Sequence, residues 1–166
     1  PARGATILVA QGGRASVSEL AATLATQGEA VFAVDPLFWG ESRVEQRAYL
    51  FQLLVATAGS RPLGIQAAQI AATAHWLRSE RQFPRIRVVA VGDRASLATL
   101  TAAALEPAIA DVTLSESLGS LHEVIERDWT YDQAPELFCF GLLEEFDIAS
   151  LVALVAPRPV RFKSPS

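Results

Sequence analysis

The feature that most constrains this chain is a recurring alternation. Short, continuously apolar runs, each closed by a turn residue, are separated by stretches with helical periodicity. Residues Thr6–Ala10 (T-I-L-V-A) run into Gly12-Gly13, and Ala30–Val34 (A-V-F-A-V) ends at Asp35-Pro36. Ile86–Val91 (I-R-V-V-A-V) meets Gly92-Asp93, Ala110–Leu114 forms a fourth run, and Arg158–Phe162 (R-P-V-R-F), though not continuously apolar, reads as a final strand. Apolar runs of this length without polar alternation read as strands buried on both faces, the habit of parallel sheets. After the first run, Ser16-Val17-Ser18-Glu19 reads as a capping box with Ser16 as N-cap, followed by Val17, Leu20 and Leu24 at helical spacing and a terminating Gly28. Further helices are expected over 43–58, 65–81, 95–105 and 147–155, with a short one over 121–125 and irregular chain over 129–139. Strand, helix and strand within about thirty residues make one βαβ unit. The fold class expected is therefore α/β, a mainly parallel, doubly wound sheet of about five strands.

The bulk numbers narrow the function classes. With 166 residues, 51% hydrophobic and 19% charged, the chain reads as one globular domain. A net charge of −4 argues against nucleic acid or an anionic membrane as partner. No apolar run reaches the ~18 residues that a spanning helix needs. Cys139 is alone, which excludes an internal disulfide, and His75 and His122 are too few for a His-rich metal site. No cofactor is expected. The sequence contains no Met, so its start is expected to be a processed or excised boundary, and the chain to be part of a larger domain or polypeptide. Sheet edges left unpaired by missing flanking elements invite association, so a homo-oligomer is expected.

In an open parallel sheet, ligands collect at the carboxyl ends of the strands. The sharpest position on that rim is Gly92-Asp93-Arg94-Ala95-Ser96, between a strand and an Ala-rich helix. A serine hydrolase carries G-x-S-x-G at such a junction, where a strained turn lifts the hydroxyl above the sheet and helix amides face the oxyanion. Here the third residue is Arg94, which stays protonated and cannot serve as nucleophile. Ser96 is expected in the first helical turn, helping to cap it, and Ser96 and Ser117 are only weak catalytic candidates. Gln11-Gly12-Gly13-Arg14 offers either an oxyanion amide or simply a tight turn, and both readings stay open. Ser115, Ser117 and Ser120 beside Glu116 are expected to serve turns and caps. Phe38, Trp39 and Trp129 either line a pocket or pack, and Asp93 and Arg94 either pair with each other or hold an anion at the helix start. The binding residues to examine are thus Gly12, Gly13, Trp39, Asp93 and Arg94, with Ser117 as a further expected wall of the same pocket. Gly12-Gly13 followed by Asp35 superficially fits a dinucleotide site, but Q-G-G-R-A-S is not G-x-G-x-x-G.

Three segments carry a resemblance to a known family. Asp35-Pro36-Leu37-Phe38-Trp39-Gly40-Glu41-Ser42 resembles a D-x-R-G-x-G-x-S loop, matching at Asp35, Gly40 and Ser42 and departing at Leu37 and Phe38. Ala103-Ala104-Leu105-Glu106-Pro107 before a strand resembles the end of the helix behind a nucleophile. Gly141-Leu142-Leu143, Phe146-Asp147 and Leu151–Pro159 resemble a G-L-L…F-D…L-A-L-I-A-P-R-P passage. Together they are similar to the acetyl xylan esterase and dienelactone hydrolase branch of the α/β-hydrolase superfamily, over about Thr6 to Phe162. The resemblance implies serine hydrolysis of carboxylic esters, such as acetyl groups on carbohydrate, in an ancestor. The Arg at the nucleophile position and the absence of a matching triad His imply a degenerate site. The leading expectation is a non-catalytic domain with a structural or binding role, whose partner is a carbohydrate ester or another protein domain. The alternative is an ester hydrolase that recruits a rim serine or is completed from outside the chain.

Overall fold

The computed structural model describes residues 4–163. Strands β1 (Ala5–Ala10), β2 (Ala30–Val34), β3 (Ile86–Val91), β4 (Ile109–Ser115) and β5 (Val160–Lys163) form one sheet in the order β2-β1-β3-β4-β5. Every neighbouring pair is parallel. The helices are α1 (Ser18–Thr26), α2 (Ala48–Thr57), α3 (Pro62–Ser79), α4 (Asp93–Leu105), α5 (Glu123–Glu126), α6 (Leu142–Glu145) and α7 (Ile148–Val155). The strand runs expected from the sequence match β1 to β4 to within a residue at each end, because continuous apolarity is what a central parallel strand requires.

One face of the sheet carries most of the core. Ile7, Val9, Val88, Ala90, Val112 and Leu114 pack against Leu63, Ile70 and Leu77 of α3, Leu97 and Leu100 of α4, and Leu151 and Val155 of α7. Burying a side chain of this size contributes about 1.5–3 kcal/mol. The Ala-rich composition of α4 has a packing reason: Ala95, Ala98, Ala102 and Ala103 are all fully buried where α4 lies over the sheet and against α3. On the opposite face α1, with Val17 just before it, packs Leu20 and Leu24 over Leu8, Ala10 and Val89. No other helix of the described residues joins that cluster.

Some element boundaries differ from expectation. Ser16 does not cap α1: a 3-10 turn over Arg14–Val17 precedes the helix, and the Ser16 hydroxyl donates back to the Gly13 carbonyl at 2.7 Å. The capping box lies instead at α7, where Asp147 and Ser150 exchange hydrogen bonds with each other's backbone. Helix α2 starts at Ala48 and not near Arg43, because the chain up to Arg43 is held in the loop after β2. Pro62, which with Gly59-Ser60-Arg61 reads in the sequence as a break after the preceding helix, does more than that. It opens α3 at the first turn, where its missing N–H costs nothing. Arg158 and Pro159 precede β5 and do not belong to it, since the Arg158 side chain turns away to three carbonyls of neighbouring chain, those of Ala103, Glu106 and Ile109.

Candidate functional site

The rim at the carboxyl ends of β1, β2 and β3 is built around Asp35. Its carboxylate accepts the Arg14 N–H at 2.6 Å and the Glu41 N–H at 3.0 Å, tying the loop after β1 to the loop after β2. The Arg14 side chain adds ion pairs to Asp35 and Glu41. Glycine is required at two contacts here: a Cβ on Gly40 would lie 2.2 Å from the Asp35 carboxyl, and one on Gly13 would lie 2.4 Å from the Gly40 Cα. The matched positions of the D-x-R-G-x-G-x-S resemblance therefore hold loops together. With both carboxylate oxygens taken by backbone amides, Asp35 is not free to grip a ribose, which removes the dinucleotide pattern's acidic partner.

Gly13 donates its N–H to the Ala10 carbonyl and Arg14 donates to Asp35. Neither of these amides is free for an oxyanion, whereas the Gly12 N–H has no hydrogen-bond partner among the described residues, so the tight-turn reading is favoured at Gly13 alone.

At the β3–α4 junction the positive φ falls on Gly92, at 101°. Arg94 is already an α-helical residue and is not among the described residues with positive φ. The strained turn that presents a nucleophile is thus absent at position 94. Gln11 folds over Gly92, and its side-chain oxygen accepts the Arg94 N–H at 3.3 Å.

The Arg94 side chain makes a two-pronged ion pair with Glu136, Nε to Oε2 and Nη2 to Oε1, both at 2.7 Å. Glu136 lies in a 3-10 turn over Pro135–Phe138 and its side chain is fully buried. Its Oε1 also accepts from Gln66 Nε2 at 2.9 Å and from Trp39 Nε1 at 3.1 Å. The guanidinium sits 5.7 Å from the centre of the Trp39 ring, within cation–π range. Burial pushes the Glu136 carboxyl up, but the hydrogen bonds and charge of Arg94, with the Gln66 amide, hold it below its ordinary value.

A cleft of about 480 Å³ opens beside this network, walled by Gly12, Gly13, Trp39 and Arg94 together with Arg43, Tyr49 and Gln52. Ser117, expected to wall the same pocket, is not among its lining residues, and Asp93 lines a separate hollow with Trp129. Asp93 and Arg94 do not pair with each other: Asp93 faces Arg127 at 3.7 Å, and burial holds its carboxyl above the usual value against that charge. Ser96 is 1% exposed, its backbone N–H bonded to Gly92 and its hydroxyl without a partner among the described residues, so it does not cap the helix. Ser120 does serve its turn, donating to Asp147 and accepting the His122 N–H. Neither His lines the cleft; His75 lies on α3 opposite Glu106 at 3.6 Å and His122 is exposed before α5. Sequence reasoning missed Glu136 and Gln52. Glu136 lies 42 positions from Arg94 in irregular chain, and only the need of a half-buried Arg for a counter-charge points to it.

No protein-family model matches the chain, and no curated protein matches it in sequence. Solved structures do match in fold. A protein provisionally assigned as an acetyl xylan esterase from Bacteroides fragilis superposes with a TM-score of 0.78 at 16% identity, over 97% of this chain and 52% of that one. The chain thus spans about half the length of that esterase. A cold-adapted esterase from an Arctic intertidal metagenomic library superposes with a TM-score of 0.56 at 16% identity, over 99% of this chain and 72% of that one, in its zinc-bound structure. Its polyethylene glycol complex gives 0.57. The chain, a five-stranded parallel sheet flanked by helices, thus shares over nearly its whole length the α/β fold of these esterase structures.

Proposed function

We propose that this chain is a non-catalytic, esterase-derived domain whose cleft binds and does not hydrolyse. The observation that carries the reading is Arg94. The position where a serine would attack holds a cation locked onto the buried Glu136, on ordinary helical backbone. The cleft has features suited to binding, being lined by Trp39, Tyr49, Arg43 and Gln52. Trp39 and Tyr49 offer the aromatic surface on which a carbohydrate ester would lie. The test is p-nitrophenyl acetate hydrolysis by the purified chain. No turnover above the buffer rate is expected; turnover abolished by Ser96→Ala or Ser117→Ala would establish the rival reading of an ester hydrolase that recruits a rim serine. Likeness to esterases favours that rival only at the level of fold.

The sheet ends at β2 on one side and β5 on the other, and β5 is exposed at three of its four positions. Open strand edges pair readily, so the proposal includes association, with a second copy or with another protein domain. Sedimentation equilibrium is expected to show a species heavier than the monomer, and a strictly monomeric profile would count against it.

A further inference from the structure

The half of the sheet face that α1 leaves uncovered is basic, and nothing in the cleft above depends on it. Parallel register sets Arg87 beside Asp111, Thr113 beside Arg161 and Ser115 beside Lys163, so these side chains share one face. With Arg85 and Glu29 they border a hollow of about 450 Å³, the size of a small-molecule site. Four cations, Arg85, Arg87, Arg161 and Lys163, stand there against two carboxylates, Asp111 and Glu29. The excess of positive charge is local, in a chain whose net charge is −4.

The arrangement is built rather than scattered. Asp111, with a side chain only 2% exposed, receives Arg85 Nε and Nη2 on one oxygen at 3.0 and 2.6 Å, and Arg161 Nη1 on the other at 3.1 Å. One buried carboxylate thus orients two guanidinium groups that remain 60% and 55% exposed. Arg87 is held in the same way by Glu29 at 3.2 Å and by the Thr6 hydroxyl at 2.8 Å. Lys163 is exposed and enters no ion pair among the described residues. Guanidinium groups fixed before binding lose little further freedom on gripping an oxyanion, and their planar forks match its oxygens. A concave surface with one sign of charge in excess also concentrates counter-ions.

We propose that this hollow is a binding site for a tetrahedral oxyanion, the phosphate or sulfate ester of a small ligand, gripped by Arg85, Arg161 and Lys163. The test is isothermal titration with inorganic phosphate in its dianionic form and, separately, with sulfate, at ionic strength held constant by chloride. Saturable binding with a dissociation constant of about 1 mM or tighter is expected for at least one of them. Phosphate alone would mark a phosphate ester as the ligand, and sulfate alone a sulfate ester. Lys163→Glu, which breaks no ion pair, is expected to weaken binding at least about ten-fold without moving the melting temperature of the free protein. Arg43→Gln, which removes a cation from the cleft on the rim, is expected to leave it unchanged. Absence of saturable binding for both anions overturns the proposal. So does equal weakening by Lys163→Glu and Arg43→Gln, the mark of diffuse attraction.

Discussion

The two ends of α4 each meet an arginine, and they use it in opposite ways. At the carboxyl end Arg158, from the A-P-R-P passage, donates to the carbonyls of Ala103, Glu106 and Ile109 at 2.6, 3.0 and 3.0 Å. It satisfies carbonyls that a helix end leaves open, and places a cation at the negative end of the helix dipole. At the amino end Arg94 is the third residue of Gly92-Asp93-Arg94-Ala95-Ser96, the place of the serine in a G-x-S-x-G pattern, and its charge is turned out of the helix into Glu136. The segment that matches the esterase pattern builds the scaffold; the segment that departs is the one that would do chemistry. Fold alone fixes no activity, which is decided by the groups at the site.

The largest effect is expected from breaking the amino-end arrangement. Removing one partner of a buried ion pair costs about 3–5 kcal/mol, because the other charge is left uncompensated. Arg94→Ser is expected to lose stability of that order in urea denaturation and to gain no p-nitrophenyl acetate turnover, since no His lines the cleft. Replacing both partners with apolar residues, Arg94→Met with Glu136→Leu, is expected to recover most of the loss. The pH dependence follows from the Glu136 carboxyl. Burial raises it, yet Arg94 and Gln66 hold it below its ordinary value. A depressed folded pKa contributes stability above the unfolded carboxylate value and loses it as pH falls through the folded value. The parent is therefore expected to weaken on acidification more steeply than the double variant. An Arg94→Ser protein as stable as its parent would break the contrast between the two ends.

A smaller loss is expected at the carboxyl end. Arg158→Ala leaves three carbonyls without their charged donor, and a hydrogen bond to a charged group contributes about 1.5–3 kcal/mol. Water reaches this half-buried site in part, so a net loss of about 2–3 kcal/mol in urea denaturation is expected. Arg158→Lys, which keeps the cation but not the fork, is expected to fall between the two. If Arg158→Ala cost as much as Arg94→Ser, the amino-end pair would hold no special place.

The contrast also explains what the sequence made legible. Strands β1 to β4 were readable because each is a local run of mostly apolar residues, and α7 because it too is a contiguous segment, opened by Asp147. The absence of a serine at position 94 was readable because the Gly92 turn and the helix after it are contiguous. Glu136 was not, since its burial depends on Gln66, Trp39 and Arg94 converging from three other elements. Gln52 likewise shows no polar signal in α2, a helix otherwise so apolar that Phe51, Leu53 and Leu54 remain exposed. Ser16 misled because its motif is local but the turn it serves runs backward, to Gly13.

The smallest effect is expected at Ser96. Its hydroxyl is buried one turn into α4 with no partner among the described residues, so it contributes a desolvation penalty and no bond. Alanine removes that group and is the better helix former by a few tenths of a kcal/mol. Ser96→Ala is therefore expected to stabilise the protein by about 0.5–1 kcal/mol, read as a higher urea midpoint with an unchanged slope. A destabilised variant would mean that the hydroxyl bonds to something the folded chain supplies, such as an enclosed water. If esterase activity were present and vanished with it, the amino end of α4 would have to be reread as a working site. The sign of the stability change reports whether the hydroxyl is satisfied, and turnover of the same variant is what separates the two functional readings.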